Sequence, residues 1–532
     1  LFAMDPTAPV KNEDGSYSYT TNRVGNEVST DLNSTNETAG DRRIYLEAMV
    51  DYNRTFGRHD VNAMLLYNQD ELVNNVPGNN LINSLPKRKQ GLAGRLSYAY
   101  DGKYMAEVNM GYNGSENFAK GHRWGFFPSI ALGYNISEES FFEPLRKVIT
   151  SMKLRGSWGL VGNDQIGGER FIYMPTINLS GKGFTTGIDQ NYGLSGPVYT
   201  RYENNSITWE VGEKINLGID LQLLNSLNIV VDIFRETRRD IFQKKGTIPT
   251  YLGTGNTDVF GNLAEMKNQG LDLSIDYNKA FSKDFYMNFK GTFTYAHNEI
   301  TKYDEAPKYA FQSKVGQSAN VSQGYLSNGL FLDEAEIDRY NQQMGSTLGA
   351  GDIKYLNVSN MHGYGDDIVD VDDWTWIGNP TVPEIVYGFG PSFKYKNWDF
   401  SFFFQGVAKT SLFMSGFHPF GDNSLRNVLQ FVANDRWSPT NQNVDAKYPR
   451  LTRKTSLNNT NPGNSGRTSD YWMRDGSFLK LKNMELGYTF KRMRFYISGS
   501  NLLTFSKFDL WDPEQGGGSG LKYPTQRVFN VG

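Results

Sequence analysis

The sequence contains paired runs in which apolar and polar residues alternate, and this period of two constrains the fold more than any other feature. In the clearest pair, Leu92–Tyr100 and Tyr104–Tyr112 flank Asp101-Gly102, a dipeptide typical of a two-residue hairpin turn. One face of each run is aliphatic and aromatic, whereas the other face carries Arg95 and Glu107. A tilted strand crosses a bilayer in about 9 to 11 residues, whereas strands of globular sheets run about 5 to 6. The length of these runs therefore predicts membrane-crossing strands.

The same two-faced pattern recurs along the chain, and we count about fifteen strands in all. The first is predicted near Tyr45–Asn53 and the last near Gln526–Gly532. Other clear runs lie at Ile215–Leu223, Leu227–Ile233, Leu271–Tyr277, Phe285–Tyr295, Phe400–Phe404, Leu479–Phe490 and Phe495–Gly499. No apolar run approaches the roughly 20 residues that a transmembrane helix needs, so the expected fold class is all-β.

The connections between these strands alternate strictly between short and long. Short ones are predicted near 55–58, 101–103, 137–147, 225–226, 280–284, 396–397 and 490–491. Long ones are predicted near 72–90, 114–122, 161–205, 238–267, 298–383, 408–476 and 502–524. Outer-membrane barrels have short periplasmic turns and long extracellular loops. The alternation therefore predicts a transmembrane antiparallel β-barrel.

The parity of the strand count predicts a larger barrel than this chain supplies. Strictly antiparallel closure needs an even number of strands, since an open sheet edge cannot face lipid. We therefore expect residues 1–532 to be part of a barrel that begins in an extracellular loop, with the first strands absent from the chain.

Composition excludes several other classes of function. The chain has no Cys, which rules out disulfides, thiol catalysis and Cys-ligated metals. A net charge of -3 without long basic blocks gives no reason to expect nucleic acid as a partner. The sequence shows no nucleophile elbow or catalytic order, so we expect a protein that is not an enzyme. The 14% of aromatic residues and 55 Gly suit a barrel.

An ordered set of short motifs resembles the SusC/RagA family of TonB-dependent outer-membrane transporters. The motifs follow the order of that family along the chain and lie at Gly91–Tyr98, Gly111–Phe118, Trp124–Ser129, Gly133–Tyr134, Ser137–Glu139, Leu154–Gly159, Gly162–Asp164, Asn268–Leu273, Gly351–Tyr355, Ile377–Pro380, Asp435–Trp437, Tyr448–Leu451, Asp475–Leu481, Asn501–Thr504, Asp512–Glu514 and Tyr523–Pro524. The resemblance implies a barrel of about 22 strands with a plug, the plug being absent from this chain.

The resemblance also implies how such a barrel would work. Its partners would be a SusD-like surface lipoprotein, the TonB complex and outer-membrane lipid, and its cargo an oligosaccharide or a peptide. Two other readings of the strand pattern stay open at this stage: a passive outer-membrane porin and a soluble all-β protein that binds or processes glycans. We expect localisation in the outer membrane and active import of a nutrient, with an oligosaccharide as the first choice.

Aromatic residues in the predicted loops are candidates for binding this cargo, because aromatic faces can stack on sugar rings. They are Trp374, Trp376, Phe417, Phe420, Trp437, Tyr199 and Tyr202. The alternative is that these rings pack the loops together or contact a capping lipoprotein. Six charged residues are expected to line the lumen and seat a plug: Arg95, Glu107, Lys153, Arg155, Lys214 and Asp220.

One acidic stretch is a candidate site for a structural cation. Family members carry a calcium-like loop at the position of residues 352–373, where carboxylates would supply oxygen ligands to Ca²⁺. Asp366, Asp370 and Asp373 are the candidate ligands. The chain departs from the pattern because Asp367 stands where the turn Gly would be, and a solvated acidic loop is the alternative. We expect no other cofactor.

Overall fold

A computed structural model of the chain shows one large antiparallel sheet in which strands pair in the order of the sequence. It describes residues 2–23, 38–76, 81–166, 170–249, 251, 257–340, 342–343, 348–364, 367–415, 429–451 and 468–532. The sheet has 15 strands: β1 Asp41–Phe56, β2 His59–Asn74, β3 Lys87–Tyr100, β4 Tyr104–Ser115, β5 Trp124–Asn135, β6 Ile149–Asn163, β7 Glu210–Leu223, β8 Leu227–Lys244, β9 Phe260–Ala280, β10 Phe285–Lys302, β11 Ile385–Tyr395, β12 Trp398–Ala408, β13 Phe478–Phe490, β14 Met493–Ser506 and β15 Val528–Val531. The predicted all-β fold with about fifteen strands is confirmed.

Many strands are longer than the roughly 9 to 11 residues that a tilted strand needs to cross a bilayer. β9 has 21 residues and β10 has 18. The extra residues lie at the end of the sheet where the long loops begin, because the short turn between these two strands occupies only residues 281–284. These strands therefore continue beyond the part that the apolar pattern marks.

Smaller elements belong to the loops. Two of them are hairpins, Phe2–Lys11 with Tyr17–Arg23 and Thr176–Thr186 with Tyr192–Arg201. The short strand pairs are Ser322–Gly324 with Thr375–Ile377, Ser327–Leu330 with Ile353–Tyr355, Gln342–Gln343 with Ile368–Val369, and Ser411–Phe413 with Met473–Asp475. The α-helices are Leu81–Ser84, Glu334–Arg339, Val358–Met361 and Gln430–Asn434, and the 3-10 helices Ile136–Glu138, Ser140–Leu145, Ala310–Gln312, Val371–Asp373, Asp470–Trp472 and Pro513–Gln515. No helix in the described parts of the chain is both long and apolar enough to span a membrane.

The short and long connections alternate as predicted, so they lie at opposite ends of the sheet. The short ones are 57–58, 101–103, 136–148, 224–226, 281–284, 396–397 and 491–492, and the long ones 75–86, 116–123, 164–209, 245–259, 303–384, 409–477 and 507–527. The Asp101-Gly102 turn has positive φ at both residues, 53° and 66°, and Lys103 N donates to Tyr100 O at 2.9 Å. Gly is suited to this turn because it adopts positive φ without strain.

The strand register places the apolar residues of neighbouring strands on one face. Leu92 lies opposite Tyr112, which lies opposite Phe126. This face is open: Leu132 is 58% exposed and Leu217 is 63% exposed. A soluble sheet would cover such a face with a second layer, whereas an open apolar face on every strand suits lipid.

Aromatic rings line the apolar face next to the short turns. Tyr104 stacks on Tyr134 with centroids 5.2 Å apart, and Trp398 lies 4.7 Å from Tyr488. Amphipathic aromatic rings gather at the interface between hydrocarbon and water. This row therefore marks one boundary of the apolar band.

Candidate functional site

The largest cluster of buried apolar residues lies among the long loops. We call it the loop core, and it consists of Tyr325, Leu330, Ile353, Tyr355, Val369, Leu412, Met414, Val432, Trp437, Ala446, Tyr448, Trp472 and Phe508. These residues come from the loops 303–384, 409–477 and 507–527. Backbone bridges join the same loops, since Tyr325 pairs with Ser469 and Met414 with Gly518. The three loops therefore form one packed layer at the long-loop end of the sheet.

A buried ion pair fixes two of these loops to each other. Asp352 is fully buried, and it accepts from Arg450 Nε at 2.5 Å and from Arg450 Nη2 at 2.9 Å. This two-point contact raises the pKa of Arg450, through the hydrogen bond to Asp352 first. Gly349 N also donates to Asp352 Oδ2 at 2.9 Å. The pair joins the motif Gly351–Tyr355 to the motif Tyr448–Leu451.

A glycine in the first of these motifs lets a tryptophan from the other loop pack closely. Gly351 has φ +83°, and a Cβ atom there would lie 2.3 Å from the ring of Trp437. Any larger residue would both strain the backbone and displace the indole. Trp437 is accordingly enclosed in the loop core, with 5% of its surface exposed.

A second ion pair ties the last loop to the sheet. Lys480 of β13 is 1% exposed and pairs with Asp512, and its Nζ lies 2.8 Å from Glu514 Oε2. Lys482 Nζ lies 2.7 Å from Glu514 Oε1. Burial, the largest single effect, raises the pKa of Asp512 and Glu514, but the hydrogen bonds and charges around them together outweigh it and lower both pKa values. For Asp512 these are Lys480 and the backbone N–H of Glu514, and for Glu514 they are Lys480 and Lys482.

A smaller apolar cluster joins the loop 164–209 to the loop 116–123. It contains Phe118, Ile166, Ile172, Ile207 and Trp209. Beside it, buried Asp164 accepts from Lys89 Nζ at 2.8 Å and from Ser115 Oγ at 2.7 Å. The contact from Ser115 again joins two separate motifs, Gly162–Asp164 and Gly111–Phe118.

Three of the tryptophans named as cargo-binding candidates contact other parts of the loops. Trp437 lies inside the loop core, and Trp374 packs against it edge-on to Tyr325 at 6.0 Å. Trp376 donates from Nε1 to Ser313 O at 2.8 Å. These contacts favour the packing alternative for Trp374 and Trp437. Phe417 and Phe420 lie outside the described residues.

Tyr199 and Tyr202 are placed differently. Their rings stack with centroids 5.3 Å apart, and the residues are 49% and 39% exposed. Tyr199 lies near the end of the hairpin strand Tyr192–Arg201, and Tyr202 N donates to Asp258 O at 3.1 Å, which joins two long loops. This exposed pair can still offer a ring face to a ligand.

The sequence analysis missed a second exposed group of rings. Tyr309, Phe311, His362 and Tyr364 form an aromatic cluster, with Tyr309 4.1 Å from Tyr364 and Phe311 4.6 Å from His362. Tyr364 is 49% exposed. His362 and Tyr364 come from the loop 352–373, which the sequence analysis considered only for its acidic residues.

The acidic residues considered for a cation hold the loop backbone. Asp373 is fully buried, with Oδ1 accepting from Ser359 N at 2.9 Å and Oδ2 from Asp370 N at 2.7 Å. Burial raises the pKa of Asp373. Asp370 Oδ1 accepts from Asp372 N at 2.8 Å, and Asp366 lies outside the described residues. Within the described parts of the chain, no group of three or more acidic or His residues could hold a metal, and the calcium site stays a prediction.

The polar face of the sheet carries the six charged residues predicted for the lumen. Arg155 Nε lies 3.0 Å from Asp220 Oδ1, and Arg155 Nη2 lies 2.6 Å from Asp232 Oδ2. Glu107 Oε1 accepts from Asn109 Nδ2 at 2.8 Å. The contacts of Arg155 join different strands and that of Glu107 lies within β4, and both hold charged groups on the face opposite the apolar one.

Comparison with known proteins identifies the class to which this fold and its loop layer belong. The family model described as "TonB dependent receptor-like, beta-barrel" matches residues 5–502, and the chain belongs to this family. The apolar face therefore meets the lipid of the outer membrane, and the resemblance to SusC-like transporters is confirmed.

The chain is similar to individual TonB-dependent receptors and to a solved transporter structure. The chain is 28% identical over 466 residues to the TonB-dependent receptor SusC of Bacteroides thetaiotaomicron, covering 82% of this chain and 43% of that protein. It is 25% identical over 569 residues to the TonB-dependent receptor P3 of Formosa agariphila, covering 96% and 53%. The chain thus spans about half the length of these curated relatives. A solved structure of the RagAB peptide transporter shares the fold, with TM-score 0.66, 19% identity and coverage of 92% of this chain and 55% of that one.

Proposed function

We propose that this chain is the barrel part of an active outer-membrane importer that takes up an oligosaccharide. The observation that carries the proposal is the loop core, which joins three long loops into one packed layer at a single end of a TonB-dependent receptor barrel. Such a layer gives the extracellular mouth a fixed shape on which cargo can be held. The chain would supply fifteen strands of a larger barrel, with a plug supplied by the rest of the protein.

The exposed aromatic groups support a sugar as cargo. The Tyr199/Tyr202 pair and the aromatic cluster both lie in the long loops and expose ring surface. Ligand sites combine aromatic faces with a few polar groups. The Lys308 ammonium, which lies over the Tyr309 ring, is such a neighbour of the aromatic cluster. The relative SusC is named as a TonB-dependent receptor, which supports active import.

Two partners follow from this proposal. A SusD-like surface lipoprotein would cap the loop layer, and the TonB complex would transmit energy to the plug. Neither partner would bind the lipid-facing side. The barrel itself would break no covalent bond, because its family consists of receptors and transporters.

A peptide is the second candidate cargo. The RagAB peptide transporter shares the fold over most of this chain, and its cargo is named as peptide. Many of the exposed loop rings are Tyr, which also recognise peptides through stacking and hydroxyl hydrogen bonds.

Uptake by the native organism tests the proposal directly. Cells lacking this protein should lose import of labelled oligosaccharides and keep import of labelled oligopeptides, and a protonophore should abolish import in the wild type. Affinity purification of the full receptor should bring down a surface lipoprotein.

Each competing function predicts another result. Loss of peptide import with intact sugar import would replace the cargo by peptide. Import that survives the protonophore would indicate a passive porin and contradict active transport.

A further inference from the structure

Lysines and aromatic rings form repeated pairs at the short-turn end of strands β9 to β14. We call this surface the basic belt, and it consists of the pairs Lys279/Phe281, Lys396/Tyr395 and Lys491/Phe490. In each pair the lysine Nζ lies 5.5 Å from the centre of the ring. The same arrangement therefore recurs at the turns 281–284, 396–397 and 491–492.

The strand register places the rings of the basic belt on the apolar face. Phe281 stacks on Phe285 with centroids 5.3 Å apart, and Phe285 lies opposite Tyr395. Tyr395 is paired with Trp398, one of the rings at the boundary of the apolar band. Phe490 points to the same side of β13 as the tyrosine that contacts Trp398. The ammonium groups above these rings therefore lie on the lipid side of the barrel rather than in its lumen.

Both components of the basic belt are open to a ligand. The rings of Phe281, Tyr395 and Phe490 belong to residues that are 51%, 53% and 46% exposed. Among the residues that the structure describes, no carboxylate forms an ion pair with any of the three lysines. A ring attracts the charge of an ammonium group but leaves its three N–H donors available. The belt can therefore accept an anion without breaking an existing ion pair.

The short turns between strands β1 and β6 differ in this respect. Their basic side chains lie beside acids: Arg58 beside Asp101 at 3.8 Å, Lys103 beside Glu139 at 3.6 Å and Arg146 beside Glu138 at 3.9 Å. The turns of the basic belt instead contain four basic residues and one acid, namely Lys283, Lys396, Lys491, Arg492 and Asp284. Unbalanced positive charge is therefore concentrated beside strands β9 to β14.

We propose that the basic belt binds the phosphate groups of anionic glycerophospholipids in the periplasmic leaflet of the outer membrane. Short turns lie on the periplasmic side of such barrels, and lysines beside interfacial rings reach the level of lipid headgroups. The acyl chains would extend over the apolar face beside Phe285 and Tyr395. Because the turns carry four bases and one acid, an anionic headgroup is favoured over a zwitterionic one.

A lipid fits the basic belt better than an acidic segment of a periplasmic protein. Such a segment could reach the turns, but Phe285 and Tyr395 face hydrocarbon and would be closed to it. The rings and the lysines together match a ligand that is charged at one end and apolar at the other. The inference rests on the family and its orientation in the membrane, and it does not depend on the cargo.

Native mass spectrometry of the full, delipidated receptor with defined lipids tests this inference. Phosphatidylglycerol should bind the wild type at least about fivefold more tightly than phosphatidylethanolamine with the same acyl chains, which is the effect of one lysine beside anionic lipid. The triple variant Lys279→Gln, Lys396→Gln and Lys491→Gln should lose this preference, and the three Lys→Arg substitutions should keep it. High salt should remove the preference in the wild type, because exposed charges are screened.

The matched control is the triple variant Arg58→Gln, Lys103→Gln and Arg146→Gln. It removes the same charge from the same end of the barrel, but from bases that have acidic partners. This control should prefer phosphatidylglycerol as the wild type does, and resistance to heat unfolding in detergent shows whether each barrel is intact.

Several results would overturn the proposal. They are equal affinity of the wild type for the two lipids, an equal loss of preference in the two Gln variants, and a preference that high salt does not change. Displacement of phosphatidylglycerol by millimolar inorganic phosphate would show a general anion site instead of a lipid site. The salt series uses the unmodified receptor, so it tests the proposal even if a triple variant fails to fold.

Discussion

At the scale of single residues, Lys480 determines how the last loop responds to acid. Its bonds to Asp512 and Glu514, together with the other hydrogen bonds to these carboxylates, outweigh the effect of burial and lower both pKa values from the ordinary 3.8 and 4.5. A group with a depressed pKa in the folded state stabilises the fold above its unfolded pKa and loses this contribution as the pH falls through its folded pKa. We therefore expect loop 507–527 to stay protected from hydrogen exchange at pH 5 to 7 and to lose protection below 3.8.

Substitution of the lysine should remove this protection at neutral pH. Lys480→Met leaves Asp512 without its cation, and a hydrogen bond to a charged group is worth about 1.5–3 kcal/mol, so exchange should accelerate roughly 10- to 100-fold. Lys507→Met is the control, because Lys507 is 88% exposed and its ion pair with Asp475 is long, at 3.9 Å. Equal exchange in both variants would contradict the role given to Lys480.

The Arg450–Asp352 pair makes a separate prediction about the stability of the loop core. Arg450→Ala removes the cation from the fully buried carboxylate of Asp352, and loss of one partner of a buried ion pair costs about 3–5 kcal/mol. We expect the low end of this energy range, because the Arg450 side chain is itself 30% exposed. Proteolysis should then cleave the loops 303–384 and 409–477 faster while the barrel resists heat as before. Asp352→Asn combined with Arg450→Met should recover part of the lost stability, because no buried charge remains. If the barrel of Arg450→Ala melted together with its loops, the ion pair would not be a contact that stabilises the loops alone.

At the scale of elements, the two faces of each strand differ in what they tolerate. Leu217→Arg places a cation in the apolar band and should destabilise the barrel by about 2–4 kcal/mol in urea unfolding. Asn216→Arg, one residue away on the polar face, should change stability by well under 1 kcal/mol. A similar loss for both variants would mean that the 63% exposed face of Leu217 is not the lipid face.

The strands could be predicted from sequence because lipid and lumen impose a local pattern. Leu92–Tyr112 contains its own alternation and its own turn, so no distant residue is needed to recognise it. The hairpin Thr176–Thr186 with Tyr192–Arg201 was not predicted, because register shifts interrupt its alternation. A period-two pattern survives only where the pairing is regular.

At the scale of the whole molecule, the loop layer could not be derived from local patterns. Asp352 and Arg450 are 98 residues apart, and each motif alone gives no sign of its partner. The sequence motifs at Gly351–Tyr355, Asp435–Trp437 and Tyr448–Leu451 nevertheless belong to one packed unit. Single-sequence reasoning therefore found the parts of the candidate site but could not separate rings that pack from rings that remain open.

The difference between packed and exposed rings leads to a prediction for cargo binding. This prediction depends on the proposed function as an importer. Tyr199→Ala with Tyr202→Ala removes an exposed pair and should weaken cargo binding by the full complex about tenfold, with loop proteolysis unchanged, since stacking contacts are worth about 0.5–1.5 kcal/mol each. Trp437→Ala should act on the loops first. Loss of an enclosed indole costs about 3–5 kcal/mol, so loop proteolysis should accelerate, and cargo binding should fall because the loops open. Trp374→Ala with Trp376→Ala should resemble Trp437→Ala, because Trp374 packs on the loop core and Trp376 bonds to Ser313 O.

Calorimetric affinity, measured beside loop proteolysis, distinguishes rings that bind cargo from rings that pack the loops. Weakened binding with unaltered loops in the Trp374/Trp376 variant would assign those two rings to the cargo after all, and unchanged affinity in the Tyr199/Tyr202 variant would exclude that pair.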